Sequence, residues 1–577
     1  MLQSVFKQTV TLNLFFVCTF LLLYPTNQRP LTVSAAAVAA SIATANNSSY
    51  YTAGVVEFRP ARNAVNSLED NLAGYVEIIS SSAAEPTDII VFPESTLNSA
   101  TTSTFVPDPD SAVDTIPCLL GNTSVYSDFL VQLSCSARQA RKYVVVNLTE
   151  RDNCTTSQQD PRPCASSGLN TFNTNVVFDR EGRVISRYRK WNLYGEPKNT
   201  TYNLELGIFE TDFGVRFGHF ICFDILFYKP TQSLVDLGIR DFIYPTMWFS
   251  QLPFLTGVQF QQSWSYINDV NFLAAGASLP AIGSTGSGIY AGRKGPLVSV
   301  MNTGDGERHL YVAQVPKLSE NPQRAQAVKE QRTITPAPRL THLNQSDILL
   351  KRDYLDQYES VLVDLTNATG RLVTDVCYKE FCCHFELQWQ QLGSTVGQYY
   401  NYRLGAYEGM RDEPGAEGTN ALRNCAIFTC TGTNIADCGK LFAANVTQQP
   451  QVAFERIVIE GDFEMGYPAL LMPNSLRDDL LPLDMDDFEW GESDNAAGSR
   501  HVRYTLNTTT SNLLAFAIYS NFYDGTGFIE QSTSSSQATT VDPTTTTDPN
   551  AGGGVGALLQ SNLLMWLVVG LLSVVLK

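Results

Sequence analysis

Asp88-Ile89-Ile90-Val91-Phe92-Pro93-Glu94 runs apolar and then stops on a proline and an acid. It reads as a buried strand, because short apolar runs bounded by a turn residue belong in a sheet interior. Pro93 cannot continue a strand ladder, so Glu94 is expected to project from the strand end. Further strands are expected at 53–58, 142–147, 175–179, 184–188, 217–222, 242–245, 272–275 and 310–315. Amphipathic helices are expected at 64–80 and 255–270 between them. This alternation predicts a layered α/β domain over residues 51–320, with reactive groups at strand ends.

Beyond that domain the pattern changes. Residues 321–345 contain prolines and arginines and read as a linker, and residues 346–530 alternate polar and apolar positions, as at 451–459 and 502–506. This second part is expected to be a β-rich domain carrying most of the cysteines. A chain of 577 residues is too long for one core, which agrees with two folded parts plus tails. With 44% apolar and 17% charged residues, wholesale disorder is excluded. The net charge of −18 disfavours phosphate backbones, so no nucleic-acid partner is expected.

The two ends point to the cell exterior. Lys7, an apolar run from Leu12 to Tyr24 and small residues at 35–40 have the order of a signal peptide, placed at 1–40. Residues 531–550 form a Ser/Thr-rich stalk, and 551–577 combine small residues, a spacer and an apolar end. Those are the parts of a glycolipid-anchor signal, with Asn550 as the modified residue and the outer plasma membrane as the destination. A retained transmembrane helix extending back to Val555 is the alternative. Sequons at Asn46, Asn47, Asn122, Asn147, Asn153, Asn199, Asn344, Asn367, Asn445 and Asn507 fit a glycosylated surface. Asn147 sits in a strand-like run, which argues against its use.

Twelve cysteines become an odd number once Cys18 leaves with the signal peptide. Cys118, Cys135, Cys154, Cys164, Cys377, Cys382, Cys383, Cys425, Cys430 and Cys438 can pair as disulfides, with connectivity open except for a short loop closure Cys154–Cys164. The Cys377, Cys382, Cys383, His384 cluster has zinc as its rival reading, which an oxidising compartment disfavours. The residue out of step is Cys222, which follows the apolar run Phe217-Gly218-His219-Phe220-Ile221. His219 lies three residues before Cys222 and should face away from it, which weakens a Cys–His reading. Gly283-Ser284-Thr285-Gly286-Ser287-Gly288 lacks the lysine of a phosphate-binding loop and is expected to be a loop closing on the active site.

Singly, Glu94, Lys190 and Cys222 each have a bland reading as a loop acid, a surface cation and a buried thiol. In order, Phe92-Pro93-Glu94, Tyr188-Arg189-Lys190 and Cys222-Phe223-Asp224 resemble the nitrilase superfamily. Tyr188–Glu196, Cys222–Phe227, Tyr244-Pro245-Thr246-Met247-Trp248, Thr285–Ile289 and Cys377–His384 narrow the resemblance to its vanin and biotinidase branch. Met247 departs from vanin-like sequences and is expected to alter the pocket. The resemblance implies an α-β-β-α sandwich followed by a β-rich, disulfide-bonded domain. It also implies hydrolysis of a linear amide, pantetheine or a biotinyl amide, with neither cofactor nor metal. Cys222 is the nucleophile in this reading. Its thiolate would be favoured by Lys190 and a helix N-terminus, with Glu94 the general base and acid. Lys190 and the Phe223 N–H would hold the oxyanion. Glu196 is a second carboxylate for Lys190, with Glu205 as the fallback, and Tyr194 and Trp248 line the acyl pocket. The rival from another class is a catalytically idle, surface-anchored adhesion or signalling module.

Overall fold

The computed structural model describes residues 48–523 except 62–65, 112, 114, 122–124, 157–159, 319–332, 336–346, 394–397, 413–418, 444–445, 447, 466–467 and 496–497. The expected signal peptide, stalk and anchor, together with Asn46, Asn47, Asn122, Asn344, Asn445 and Asn550, lie outside the described residues.

Two mixed sheets stack face to face. The first joins β1 (Tyr50–Phe58), β2 (Ile89–Val91), β3 (Tyr143–Asn153), β4 (Leu169–Phe178) and β5 (Val184–Arg189), with the strand Arg308–Pro316 along the outer edge of β1. Its central members β1, β2 and β3 run parallel, while β4 and β5 fold back antiparallel. The second sheet is built on β6 (Gly207–Glu210), β7 (Arg216–His219) and β8 (Asp241–Thr246), followed by Asn271–Gly276, Ser287–Ala291 and Pro296–Val300.

Strand periodicity decides what each face meets. Val55, Val91 and Val145 point into the space between the sheets, against Phe217, Ile243 and Leu273. Their neighbours Val56, Ile90 and Val144 point outward, onto Tyr75 and Ile79 of the helix Ser67–Ser80 and Leu130 and Leu133 of the helix Asp128–Ala140. On the far side of the second sheet, Phe242, Phe272 and Tyr290 pack with Phe260 and Trp264 of the helix Gly257–Asn268. The result is the expected α-β-β-α sandwich.

The helix Asp128–Ala140 is an addition to the expected elements, although Phe129, Leu130, Leu133 and Ala137 mark one face of it. Two boundaries also move. Part of the expected linker, Thr333–Thr335, is a strand pairing with Val298–Val300 at the edge of the second sheet. The run expected as strand to Cys222 leaves the sheet at His219, for a reason given below.

The second half of the chain forms two five-stranded antiparallel sheets that share a core of Phe385, Leu387, Ile427, Ile457, Tyr504 and Phe516. The described residues form five disulfides, Cys118–Cys135, Cys154–Cys164, Cys377–Cys382, Cys383–Cys425 and Cys430–Cys438. The thiols of the candidate zinc cluster are therefore used in disulfides, and His384 instead meets Asp375 at 2.7 Å.

The halves are joined by one continuous core. Phe254, Leu255 and Phe260 from the first pack with Phe428, Met472 and Tyr519 from the second. Polar links lock the seam: Gln259 donates to Asn474 at 2.7 Å, and Ser263 and Gln262 donate to the carbonyls of Pro473 and Leu483. Among the described residues, no helix is long and apolar enough to cross a membrane.

Candidate active site

Glu94 follows β2 and Pro93, as its sequence implies, and is 3% exposed. Its Oε1 accepts from Lys190 Nζ at 2.8 Å and from Asn173 Nδ2 at 2.8 Å, and its Oε2 accepts from the Met247 N–H at 2.8 Å. Ser95 then takes a left-handed φ of 54°, and its N–H donates to Asn147 Oδ1 at 2.9 Å. The acid is thus fixed by three strands and the turn that carries it.

Lys190 directly follows β5 and is 2% exposed. A lysine so buried must be paired to keep its charge. Glu94 lies at 2.8 Å on one side and Glu196 Oε1 at 2.6 Å on the other. Burial works against the ammonium, but Glu196 and Glu94 outweigh it and hold Lys190 well above the ordinary lysine range. Burial likewise opposes the Glu196 carboxylate, yet the Lys190 charge and hydrogen bonds from Lys190 and Asn173 leave it below its usual value.

The third group, Cys222, is the free cysteine among the described residues, and it is buried. It opens the 3-10 turn Cys222–Leu226 with a φ of 45°, a conformation that a regular strand or helix does not use. This is where the strand expectation failed. Asp224 breaks the ladder by reaching back to the Ile221 N–H at 3.0 Å, and Tyr244 donates its hydroxyl to the Cys222 carbonyl at 2.9 Å. The same Asp224 accepts from Tyr188 at 2.8 Å and from the N–H and side-chain amide of Asn192. One carboxylate therefore ties the turn carrying Cys222 to the segment carrying Lys190. Burial pushes Asp224 up to about 6 despite these donors.

Glu94, Lys190 and Thr246 all lie near enough to Cys222 to act on its thiol. Burial raises its thiol well above the usual range, and the Glu94 charge adds to this while Lys190 opposes it. Burial therefore works against the expected thiolate while Lys190 works for it, and a short 3-10 turn stands where a helix N-terminus was expected. The arrangement suits proton transfer to Glu94 during attack rather than before it.

His219 is fully buried with Nε2 2.7 Å from Ser186 Oγ, and burial lowers it to about 3, so it is a neutral group packed beside β5. The glycine-rich run near residue 285 does something other than the expected closure. Thr285 donates to Glu57 Oε1 at 2.7 Å, and Ser287 donates to Glu57 Oε2, so the run cradles a buried carboxylate between the sheets. Glu205 lines a separate polar cavity with Tyr202 and Arg162. Tyr194 and Trp248 both line the cleft that reaches Cys222, together with Met247, Phe249 and Leu226. That cleft is narrow, with a cavity volume of about 30 Å³.

Two residues escaped the sequence reading. Asn173 donates to both carboxylates around Lys190, at 2.8 Å to Glu94 and 2.8 Å to Glu196. Asn147 fixes which way Asn173 points, donating to its Oδ1 at 2.7 Å. Asparagines at 147, 173 and 175 inside apolar strands were the available signal, since unpaired amides are costly there. The sequon at Asn147 is consequently internal, with its amide donating to Asn173 and Asn175, whereas Asn153, Asn199, Asn367 and Asn507 are exposed.

The sandwich and the β-rich second half agree with family comparisons. A carbon-nitrogen hydrolase model matches residues 52–260, and a Vanin C-terminal domain model matches residues 348–526. The chain is a hydrolase of carbon–nitrogen bonds other than peptide bonds. Vanin-like protein 1 of Drosophila melanogaster is 52% identical over 487 residues, covering 83% of this chain and 86% of that protein. Pantetheinase of Homo sapiens is 32% identical over 412 residues, covering 69% and 75%, and biotinidase of Takifugu rubripes is 32% identical over 399 residues, covering 65% and 76%. The chain belongs to the vanin and biotinidase family. Among solved structures, an amidase from Nesterenkonia sp. aligns with a TM-score of 0.33 and 16% identity, over 46% of this chain and 90% of that one.

Proposed function

We propose that the protein is an extracellular amidohydrolase that cleaves pantetheine to pantothenate and cysteamine through a thioester on Cys222. The observation that carries this reading is a buried free thiol within reach of Glu94, which itself shares Lys190 with Glu196, at the foot of a mostly apolar cleft. Cys222 Sγ attacks the amide carbonyl while its proton passes to Glu94. Lys190 and the Phe223 N–H hold the oxyanion, where one donor is typically worth ~10²–10³ in rate. Collapse of the tetrahedral adduct expels the amine, which takes the proton from Glu94. Water then attacks the thioester carbonyl, giving one proton to Glu94. That proton returns to Cys222 as the carboxylic acid leaves.

The preference for pantetheine rests on the anchor-like end of the sequence, because the pantetheinase and biotinidase relatives are equally similar at 32% identity. In this proposal residues 551–577 are replaced by a glycolipid on Asn550, leaving the enzyme on the outer face of the plasma membrane. Amine release from pantetheine and from biocytin by the purified enzyme tests the assignment. Pantetheine should be the better substrate, and Cys222→Ala should abolish turnover while secretion and melting temperature stay unchanged. Preferential cleavage of biocytin would transfer the protein to the biotinidase side. A fully active Cys222→Ala enzyme would contradict the mechanism, and a wild type inert on every amide would favour the adhesion module.

A further inference from the structure

The cleft that reaches Cys222 has one charged side chain in its wall among the described residues, and it comes from the other half of the chain. Arg411 sits near the end of the strand Asn401–Asp412 in the second half, and only 4% of it is exposed. Its Nη2 donates to Gln251 Oε1 at 2.8 Å, and its Nε meets Asp353 Oδ1 at 3.2 Å. The guanidinium also lies 5.5 Å from the centre of the Tyr354 ring. Gln251 lines the same cleft and belongs to the short strand Gln251–Leu252, which Lys351–Arg352 joins in parallel. The second half thus reaches the substrate cleft by two routes, a backbone pairing and a buried arginine.

Around this arginine the cleft wall is apolar and aromatic, formed by Leu226, Met247, Trp248, Phe249 and Leu255. A guanidinium there gives up hydration that an aliphatic wall residue would not. Its rigid fork carries five N–H donors, with Nη2 bonded to Gln251 and Nε to Asp353, and donors in a dry wall discriminate strongly between ligands that accept hydrogen bonds and ligands that do not. We propose that Arg411 is a substrate-binding residue that recognises a hydroxyl or carbonyl acceptor on the acyl part of the amide. This inference rests on the amidohydrolase reading above. Asp353, 3.2 Å from the guanidinium, would repel a carboxylate at that point, so the group recognised is a neutral acceptor.

Specificity constants for pantetheine, whose acyl part carries hydroxyls and an internal carbonyl, and for hexanamide, whose acyl part carries none, provide the test. The wild type should prefer pantetheine. Arg411→Met should lower kcat/KM on pantetheine about 10-fold or more, chiefly through KM, and leave hexanamide within a factor of about two. Arg411→Lys, which keeps the charge without the fork, should fall between the two. Equal losses on both amides, unchanged kinetics, or failure of both variants to be secreted would make Arg411 a structural clamp and overturn the proposal. A wild type that prefers hexanamide also overturns it but leaves the amidohydrolase reading standing, whereas a wild type that cleaves neither removes both.

Discussion

Lys190 lies between two carboxylates that have different work in the proposed cycle. Glu94 must accept and return a proton, so it cannot by itself keep the lysine charged throughout. Glu196 is held below its usual range by the Lys190 ammonium and by Asn173, against the cost of burial, and so remains ionised while Glu94 cycles. Replacing it by glutamine keeps the shape and removes the constant partner. Glu196→Gln should lower kcat roughly 10- to 100-fold with a much smaller change in KM, because the loss falls on transition-state geometry. Steady-state kinetics on pantetheine check this, and near wild-type values would leave Lys190 supported by Glu94 alone. At this scale Glu94, Lys190 and Cys222 were legible because each stands at the end of an apolar run with a short, recognisable motif around it. Asn147 and Asn173 were not. Their meaning comes from register between β3 and β4, where Asn147 lies opposite Asn175 and reaches Asn173, and one strand's sequence carries no register.

The elements around the site trade regularity for position. The chain leaves β7 early and turns sharply at Cys222, and the buried Asp224 holds that turn to Tyr188 and Asn192. Apolar periodicity could not reveal this, since residues 217–222 read as one strand until Asp224 competes for the backbone. A second buried acid lies in β1. Glu57 is fully buried, and burial raises it from 4.5 to about 7 even though Ser287, Thr285 and the Gly286 N–H donate to it. A carboxyl raised on folding contributes stability that is complete below about 4.5 and lost as pH rises through about 7. The melting temperature of the wild type should therefore lose ground between pH 5 and pH 8, and Glu57→Gln should flatten that part of the profile. Calorimetry of the two proteins across this range decides it, and parallel profiles would assign the slope to other groups. The cradle was invisible beforehand, because Glu57 reads as the polar position of a strand and its partners are some 230 residues away.

At the scale of the molecule, the two halves announced themselves by composition, but their union did not. The expectation of separate parts joined by a linker meets a seam in which Gln259, Gln262 and Ser263 bond into the second half and Arg411 reaches back to the cleft. Residues that seal such a seam look, in sequence, like ordinary polar positions on an amphipathic helix. The terminal segments raise a different question, since they determine where the enzyme works. Small residues around Asn550, a spacer and the apolar run from Leu563 to Leu576 predict glycolipid attachment. A phosphatidylinositol-specific phospholipase should release active enzyme from intact cells, with a mature chain ending near Asn550. Enzyme that remains bound and yields peptides containing Trp566 would show a retained span.

The central claim is that the amide is broken through a thioester on Cys222. Rapid acid quenching during turnover of pantetheine, followed by peptide mass spectrometry, tests it directly. The account predicts a pantothenoyl adduct on the peptide carrying Cys222, lost when Cys222 is alkylated beforehand and lost in Cys222→Ala. Turnover with Cys222 unmodified at every quench time, or an adduct on another side chain, would contradict it.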